Sequence, residues 1–368
     1  MQVIGVIVEY NPFHNGHVYH INKIKEKYPD SIIIAVISNY FLERGEISIL
    51  SKDAKTNIAL KHGIDIVIEL PTICAVESAD IFANNAIKLL NYLKVNKIIF
   101  GSESNNIEQL EQIVNIELND KEYDKRIKEY LDLGYNYPTS MNKALNIEGI
   151  NSPNDLLGIS YIKAIKENNY DIEYESIKRT NDYHDTASNS TIISASNIRN
   201  KIRNNEDINS YLPEDSYKSI IKINDNKLFE LLKYKIISST NLDIIKGVDE
   251  GIHNKLKKEI INAKNINELT ERIKSKRYTY NRINRMYINI LLDIQKNVKY
   301  EIDYIKVLGF NDKGRKYLNS IKKEIDKSLI PNNNSYIYQC ELKASLIYDL
   351  ITKQNTYIFE IKNKPIIN

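Results

Sequence analysis

Short apolar runs alternate with longer amphipathic stretches over the first 100 residues. The apolar runs are rich in Ile and Val and predict four strands, at 2–8, 31–37, 65–70 and 96–100. Helical patterns separate them, at about 15–28, 50–63 and 76–93. Because single helices connect buried strands, we expect a parallel sheet with right-handed crossovers. Ligands of such sheets bind at the carboxyl ends of the strands, so function is expected in 9–20, 38–46 and 101–103.

The next segment, 104–170, reads as helical with a turn near 135–138. Its last helix has a start signal at Ser152-Pro153. The apolar face of that helix is predicted to contain Leu156, Ile159, Tyr161 and Ile165.

Alternation in "DIEYESIK" predicts a fifth strand at 171–178, and "SASNIRNKIRN" predicts a short helix that begins at a Ser. From about residue 210 onward the pattern is mostly helical. The predicted fold class is therefore α/β: a Rossmann-like parallel-sheet domain at 1–205, followed by a mostly α-helical domain at 206–368.

Composition is that of an ordinary globular protein, with 42% hydrophobic and 27% charged residues. No apolar run approaches the length of a membrane span, and the early first strand leaves no room for a signal peptide. The only cysteines, Cys74 and Cys340, are far apart and form no paired motif, so no disulfide framework is expected. These features indicate a protein of the reducing cytoplasm.

Charge is distributed unevenly along the chain. Residues 1–200 carry 20 Lys and Arg against 27 Asp and Glu, whereas residues 201–368 carry 31 against 21. An acidic first part joined to a basic second part suggests a catalytic domain and an anion-binding domain.

Three of the six histidines, His14, His17 and His20, fall within "FHNGHVYH" just after the first strand. A metal site, a phosphate-handling site and a packing role are the alternatives. Zinc needs three or four convergent ligands, whereas the stretch offers no Cys and one acid, Glu9. His14 and His17 would share one face of a helical first turn, which His20 shares poorly.

The phosphate interpretation accounts for more of the local pattern. The strand ends at Glu9, Pro12 breaks the chain, and Gly16 allows the backbone to approach a ligand. The following helix start offers free N–H groups to an anion, and imidazoles can stabilise charge on a phosphoryl group. No Walker-type Lys motif is present.

Two motifs carry a resemblance. "PFHNGH" resembles the H-x-G-H signature of nucleotidyltransferases and class I aminoacyl-tRNA synthetases, and "ISASNIR" (193–199) is similar to their second signature. Further segments extend the match along the whole chain: "ERGE" (43–46), "FGSE" (100–103), "SPNDLLGISYIKAI", "YHD" (183–185), "KRYTYNRINRM" (276–286) and "VLGFNDKGR" (307–315). Together they resemble the bacterial tRNA(Met) cytidine acetate ligase family.

The resemblance implies an enzyme that activates acetate with ATP and acetylates the wobble cytidine of elongator tRNA(Met) to N4-acetylcytidine. The intermediate would be acetyl-AMP, with pyrophosphate and then AMP released. Mg²⁺ bridging the phosphates is expected, without a dedicated protein cage. No metal-binding residues, no membrane partner and no covalent enzyme intermediate are predicted.

Site residues follow from the matching motifs. The resemblance implies catalytic roles for His14 and His17. It implies an ATP site made of Ile7, Val8, Glu9, Tyr10, Asn11, Pro12, Phe13, His14, Asn15, Gly16, His17, Val18, Tyr19, His20, Gly101, Asn154 and Arg179. Ser194, Ser196 and Arg199 are candidate phosphate contacts. A helix cap for Asn154, a surface ion pair for Arg179 and a capped helix for the last three are the structural alternatives.

One segment departs from the family pattern. Where the family reads approximately S-G-N-F-x-Q-R-G-E-P, this chain reads "SNYFLERGEI", so that Gly is missing, Glu43 replaces Gln and Ile47 replaces Pro. A usual Lys-Trp pair becomes Lys52-Asp53. The segment is expected to border acetate and nucleotide.

The second half contains a basic stretch, "RIKSKRYTYNRINR" (272–285), and no acidic residue occurs from 272 to 292. It predicts a basic stripe that binds RNA phosphates, with Tyr278 and Tyr280 available to stack on a base. The predicted tRNA-binding residues are Lys274, Lys276, Arg277, Arg282 and Arg285. A loop at 311–316 is expected to add Lys313, Arg315 and Lys316. A solvated basic face is the alternative interpretation.

Two other functions compete with the acetate ligase. A cofactor adenylyltransferase of the same superfamily would leave the basic second half unexplained. An RNA-binding module with a degenerate catalytic site would leave the combined signature motifs unexplained.

Overall fold

The computed structural model of the chain describes residues 1–145, 150, 152–179, 191–362 and 364–368. The "YHD" motif at 183–185 lies outside these residues. Within them, no helix combines the length and the apolar character that crossing a membrane requires.

A seven-stranded sheet lies at the centre of the fold, in the order β5-β4-β1-β2-β3-β6-β7. Its strands are β1 (Val3–Val8), β2 (Ile32–Ser38), β3 (Ile66–Leu70), β4 (Lys97–Ser102), β5 (Glu173–Lys178), β6 (Val307–Phe310) and β7 (Ile366–Ile367). The first five are parallel, which confirms the predicted sheet and its five strands. β6 runs antiparallel to β3, and β7 pairs in parallel with β6.

Helices cover both faces of the sheet. The helices are α1 (Asn15–Lys27), α2 (Lys52–Lys61), α3 (Thr72–Ala75), α4 (Ala79–Tyr92), α5 (Ile107–Asn119), α6 (Tyr123–Asp132), α7 (Tyr137–Ala144), α8 (Pro153–Glu167), α9 (Ala195–Arg203), α10 (Glu214–Lys218), α11 (Asp225–Ser238), α12 (Ile252–Asn262), α13 (Ile266–Ile273), α14 (Tyr280–Leu292), α15 (Asp312–Ile321), α16 (Tyr336–Thr352) and α17 (Thr356–Lys362). Alternate residues of β2 pack into two different hydrophobic cores. Ile34 and Val36 pack into the core on one face of the sheet, and Ile33 and Ile37 pack into the core on the other face. A strand that is buried on both faces needs a continuous apolar run, and such runs in the sequence predict these strands.

The predicted start of α8 is confirmed, but its predicted apolar face is wrong at one position. Ser152 is the N-cap and Pro153 the first helical residue, and Ile159, Tyr161 and Ile165 are buried. Leu156 is 39% exposed and faces a cavity instead of the core.

The second half is mostly helical as predicted, although β6 and β7 were not anticipated. β6 has only four residues, and a run this short gives little periodic signal. Gly309 permits its close packing, because a Cβ there would lie 2.8 Å from Thr56 Cγ2 and 2.9 Å from the Ile366 carbonyl. The central sheet therefore takes strands from both sides of residue 205, and the domain boundary stays a prediction.

The predicted loop at 311–316 is wrong. Asn311 caps α15 by accepting a hydrogen bond from Gly314 N, so Lys313, Arg315 and Lys316 belong to a helix. Lys313 donates to the Ser31 carbonyl and Arg315 pairs with Asp312. The cap explains the difference, since a short Asn-led helix start resembles a turn in sequence.

A buried ion cluster fastens the last helices to the sheet. The Lys52 ammonium on α2 contacts carboxylates of Glu69 on β3, Glu341 on α16 and Glu360 on α17. Lys306, just before β6, also pairs with Glu360. Burial by itself would raise the pKa of Glu360, but Lys52 and Lys306 reverse that effect and lower it.

Removing the central ammonium should destabilise the whole chain. We expect Lys52→Met to lower the free energy of unfolding by about 3–5 kcal/mol, because it leaves buried carboxylates without a countercharge. Urea unfolding would measure the change. Lys61→Met, on the exposed side of the same helix, is the matched control and should change stability by less than about 0.5 kcal/mol. Equal unfolding midpoints for the two variants would contradict this role.

Candidate functional site

A cavity of about 640 Å³ opens at the carboxyl ends of β1 and β4. The predicted nucleotide-site residues that line it are Ile7, Val8, Glu9, Tyr10, Asn11, His14, Gly16, His17, Tyr19, His20, Gly101, Asn154 and Arg179. Ser194, Ser196 and Arg199 line it as well. The fold thus brings together residues from five separate stretches of sequence.

His14 and His17 form a reciprocal cap at the start of α1. His14, in extended backbone conformation, is the N-cap, and its Nδ1 accepts a hydrogen bond from Gly16 N at 3.0 Å. His17 Nδ1 accepts from His14 N at 3.1 Å, and the two ring centroids are 3.9 Å apart. A Cβ at position 16 would lie 2.6 Å from His14 Cε1, so the packed ring requires glycine there.

These contacts fix the protonation of both rings. Burial, and then the nearby positive charges of Arg179 and Arg199, lower the pKa of His14 to about 3. Burial, and then His14, lowers the pKa of His17 well below its usual range. Both imidazoles are therefore neutral near pH 7, and because each Nδ1 is an acceptor, each Nε2 carries the hydrogen. The pair offers two neutral N–H donors.

Three residues of the cavity lining each have a buried polar atom that finds no hydrogen-bond partner within the part of the chain that the structure describes. The atoms are Asn11 Nδ2, His20 Nε2 and Arg179 Nε. Buried polar groups are normally hydrogen-bonded, and each one left unsatisfied costs about 1–3 kcal/mol. A ligand rich in acceptor oxygens would satisfy the Asn11 and Arg179 donors, and His20 as well if its Nε2 carries the hydrogen.

The segment after β4 and the start of α8 meet beside Gly101. Asn154 donates from Nδ2 to Glu103, and the N-cap position of the helix is occupied by Ser152 rather than Asn154. Arg179 Nε lies 3.8 Å from Glu103 Oε1. A Cβ on Gly101 would make only ordinary contact with Arg179 Cγ, at 3.5 Å, so protein packing alone does not demand glycine here.

The second signature is a capped helix that also reaches the histidine loop. Ser194 is the N-cap of α9 and accepts from Asn197 N at 3.2 Å. Arg199 donates from Nη1 to the Asn11 carbonyl at 2.8 Å and pairs with Glu46 at 2.7 Å. The guanidinium therefore holds the loop as well as facing the cavity.

Four residues of the predicted nucleotide loop lie outside the cavity lining: Pro12, Phe13, Asn15 and Val18. Phe13 is fully buried, and its carbonyl accepts from Ser216 Oγ at 2.6 Å. Asn15 donates to the carbonyls of Thr191 and Ser210, each at 2.9 Å. These hydrogen bonds hold the loop in place. No sequence motif indicates Ser210 or Ser216, which lie 195 and 203 positions from their partners in the loop.

The "ERGE" turn lines the cavity through Glu43, Arg44 and Glu46. The sequence predicts that this segment borders the substrates but does not indicate which of its side chains do so. Burial raises the pKa of Glu43 to about 7, against the opposing charge of Arg285. Arg285 on α14 also lines the cavity and pairs with Glu43 Oε1 at 2.9 Å.

The other predicted tRNA-binding residues, Lys274, Lys276, Arg277 and Arg282, are not part of the cavity lining. Tyr278 is buried, with 3% of its surface exposed, so the expectation that it stacks on a base is wrong. Its hydroxyl donates to the Asp249 carbonyl at 2.8 Å, and the Arg282 guanidinium lies over its ring at 4.2 Å.

The basic stretch contains no acid of its own, but the fold brings acids to it. Acidic residues from outside the stretch pair with it: Arg272 with Glu259 and Glu268, Arg277 with Glu250, and Arg282 with Asp249. The acids come from α12, α13 and the turn before α12, which sequence spacing did not bring next to the basic residues. Lys276 is exposed.

A parallel sheet whose first strand leads into an H-x-G-H helix start, with a second Ser-led helix at the same cavity, defines a nucleotidyltransferase. The model of the HIGH Nucleotidyl Transferase family matches residues 1–363. A tRNA(Met) cytidine acetate ligase of Caldicellulosiruptor saccharolyticus is 37% identical, over 100% of this chain and 98% of the relative. One of Fusobacterium nucleatum is 40% identical, over 87% and 85%. The chain belongs to the family of the tRNA(Met) cytidine acetate ligases and is a ligase.

Solved structures agree with this assignment. A crystal structure of Thermotoga maritima TmcAL bound with alpha-thio ATP superposes with a TM-score of 0.85 at 28% identity and covers 100% of this chain and 99% of its own. The apo form of the same protein gives a TM-score of 0.86 at 29% identity.

The buried His20 side chain should make the free energy of unfolding decrease as the pH falls below about 6.5. Burial, and then Arg179, lowers the pKa of His20 to about 4, below the unfolded value of about 6.5. Between pH 6.5 and 4 the unfolded chain binds the extra proton, so stability falls as pH falls. We expect His20→Phe to reduce that slope by up to about 1.4 kcal/mol per pH unit. Urea unfolding at pH 4.5, 5.5, 6.5 and 7.5 measures it; an unchanged slope would contradict the buried neutral ring.

Proposed function

We propose that the protein is an ATP-dependent ligase that joins acetate to N4 of the wobble cytidine of elongator tRNA(Met), through acetyl-AMP, with release of pyrophosphate and AMP. The observation that carries the proposal is the set of buried polar atoms on Asn11, His20 and Arg179 that have no hydrogen-bond partner among the described residues, around a cavity that also holds two neutral imidazoles. A triphosphate supplies the missing acceptors. The names of the relatives supply the substrate class.

The triphosphate would lie against the start of α1. His14 and His17 would donate Nε2–H to phosphate oxygens, and the helix N-terminus adds a positive dipole end. Arg179 and Arg199 would oppose the charge that grows on the departing pyrophosphate. Neutral imidazoles suit this role, because they need no proton from solvent and carry no charge to desolvate.

The chemistry requires activation of acetate. Free acetate is a poor acyl donor since its leaving group would be oxide. In the first step an acetate oxygen attacks the α-phosphorus, a new P–O bond forms and pyrophosphate leaves. The cytidine amine then attacks the acetyl carbon and displaces AMP. No enzyme nucleophile is needed, in keeping with two buried free cysteines and a Cys74 pKa that burial raises.

Mg²⁺ would enter with ATP as the counterion of its phosphates. Among the described residues, the one group of three convergent acidic ligands is Glu69, Glu341 and Glu360, and the Lys52 ammonium already contacts all three. The cavity is therefore expected to rely on phosphate oxygens and water for the ion. Because the proposed substrates of the enzyme are tRNA and ATP, we also propose that it acts in the cytoplasm.

The decisive assay follows labelled acetate. Incubation with ATP and transcripts of elongator tRNA(Met) should place the label in N4-acetylcytidine after nuclease digestion, and transcripts with the wobble cytidine replaced by uridine should stay unlabelled. Adenylylation of a small phosphate compound instead would support the cofactor adenylyltransferase. Retention of RNA without turnover would support a binding module and end the proposal.

His17→Ala should slow acetate-dependent pyrophosphate release by about 100-fold or more, because one donor to the transition-state charge is lost. The measurement is pyrophosphate release with saturating ATP and acetate. His253→Ala on α12, whose ring is not part of the cavity lining, is the control and should retain normal rates. Parallel behaviour of the two variants would count against the histidine loop as the reacting site.

We propose that tRNA phosphates bind the exposed part of the basic stretch. The Arg277–Glu250 pair has both side chains about half exposed, at 56% and 46%, and such pairs are weak enough for a phosphate to displace the acid. We expect Arg277→Ala to lower the slope of log affinity against log salt by about 1. Filter binding at several salt concentrations measures this. Lys128→Ala, in the acidic first part of the chain, is the control. An equal change of the salt slope in that variant would mean that RNA binding is not localised to the basic stretch.

A further inference from the structure

The cavity opens to solvent away from the predicted nucleotide residues as well as beside them. Residues that both line the cavity and are exposed mark where it opens: Asp80, Tyr137, Leu156, Lys178 and Asn281. Lys178 ends β5, directly before Arg179 of the nucleotide site. The other four lie near the starts of α4, α7, α8 and α14, and they form the rim of the cavity.

Tyr137 is the aromatic residue of the rim. It is the first residue of α7, whose start is fixed by Asn136, which accepts a hydrogen bond from Thr139 N at 3.1 Å. Tyr137 is 54% exposed, and Leu156 on the same rim is 39% exposed. Large apolar side chains that face both solvent and a cavity are typical of sites that contact a ligand.

The charges around Tyr137 favour an uncharged ligand over a phosphate. Burial, and then the negative charge of Asp80, raise the pKa of the Tyr137 hydroxyl, so these two side chains lie near each other. Lys163 is also nearby, but it is already paired with Glu117 at 3.0 Å. Asp80 would repel an anion, whereas it does not oppose a neutral ring.

The aromatic surface continues outward from the rim. Leu133 is 70% and Tyr135 40% exposed. Lys143 Nζ lies 5.1 Å from the centroid of the Tyr135 ring and 5.9 Å from that of Tyr130. Aromatic faces next to a lysine suit unstacked RNA, because the bases stack on the rings while the cation meets a neighbouring phosphate.

The basic stretch reaches the same cavity from the other half of the chain. Asn281 of α14 belongs to the rim, and the exposed Lys276 and Arg277 precede it in sequence. The position of α14 is fixed, because Gly45 packs so closely against it that a Cβ there would lie 2.3 Å from Arg285 N. A base of an RNA whose phosphates bind this stretch therefore has the rim beside it.

We propose that the target base of the RNA stacks on the Tyr137 ring where it enters the cavity. The inference rests on the proposed function, in which the base must reach an adenylate bound inside the cavity. A base that is still stacked on its neighbours cannot enter such a site, so it has to leave the stack. Stacking on an aromatic side chain offsets part of the cost, and a neutral pyrimidine is compatible with the charge of Asp80.

The test is a cycle between the ring and the base. Elongator tRNA(Met) is assembled with either cytidine or an abasic ribose at the wobble position, and its binding is measured with ATP but without acetate, so that no transfer occurs. We expect the wild type to bind the cytidine form about tenfold more tightly than the abasic form. For Tyr137→Leu, which lacks the ring, the ratio should fall below about twofold.

Two further variants identify the interaction. Tyr137→Phe keeps the ring without the hydroxyl and should retain the wild-type ratio. Tyr234→Leu, on α11, is the matched control, because Tyr234 is 73% exposed and does not line the cavity. Acetate-dependent exchange of labelled pyrophosphate into ATP should change by less than about twofold in Tyr137→Leu, since the ring contacts the base and not ATP.

Three results would overturn the inference. They are a wild type that does not distinguish the two RNAs, a ratio in Tyr137→Leu equal to that of the wild type, and a ratio that Tyr137→Phe lowers as much as Tyr137→Leu does. A raised KM for ATP in the exchange assay of Tyr137→Leu would also overturn it, by placing the ring against the adenine instead. Absence of labelled N4-acetylcytidine with the wild type would contradict the proposed function, whereas the binding cycle still decides whether the ring holds the base.

Discussion

The fold depends on one buried charge, the ammonium of Lys52. It lies among three carboxylates, one from β3 and two from the consecutive helices α16 and α17, which are far from β3 along the chain. An unpaired charge in such a site is very unfavourable, so the sheet and the terminal helices must be docked together for any of these groups to be buried. Because α16 also packs against α14, the same docking brings the basic helix to the edge of the cavity.

The cavity shows a second physical constraint, that of unsatisfied donors. The backbone N–H groups at the start of α1 are partly capped by the Nδ1 atoms of the two histidines, so each ring, which burial keeps neutral, has its hydrogen on Nε2. Asn11, His20 and Arg179 keep buried polar atoms that no other described residue pairs with. A protein tolerates this combination where a ligand completes the network, and the cost in stability is confined to the carboxyl end of the sheet.

The charge pattern along the sequence did not predict which acidic and basic residues pair in the folded chain. The basic stretch has no acid of its own, yet Glu250, Asp249 and Glu259 reach it from other elements. Its residues lie in different surroundings: Arg285 is part of the cavity wall, Arg282 stacks on a buried tyrosine, and Lys276 and Arg277 are exposed. One continuous motif thus divides among three physical environments.

The sequence by itself determined the five parallel strands, the helix starts at Ser152 and Ser194, and the two signature motifs, because each depends on a local pattern of burial or capping. It also indicated the carboxyl end of the sheet as the place of function. Only the tertiary structure decided that β6 joins the sheet, that Ser216 braces the histidine loop, that Tyr278 is buried and that Glu43 meets Arg285. These contacts join residues more than 200 positions apart or depend on packing between helices, and no local periodicity encodes them.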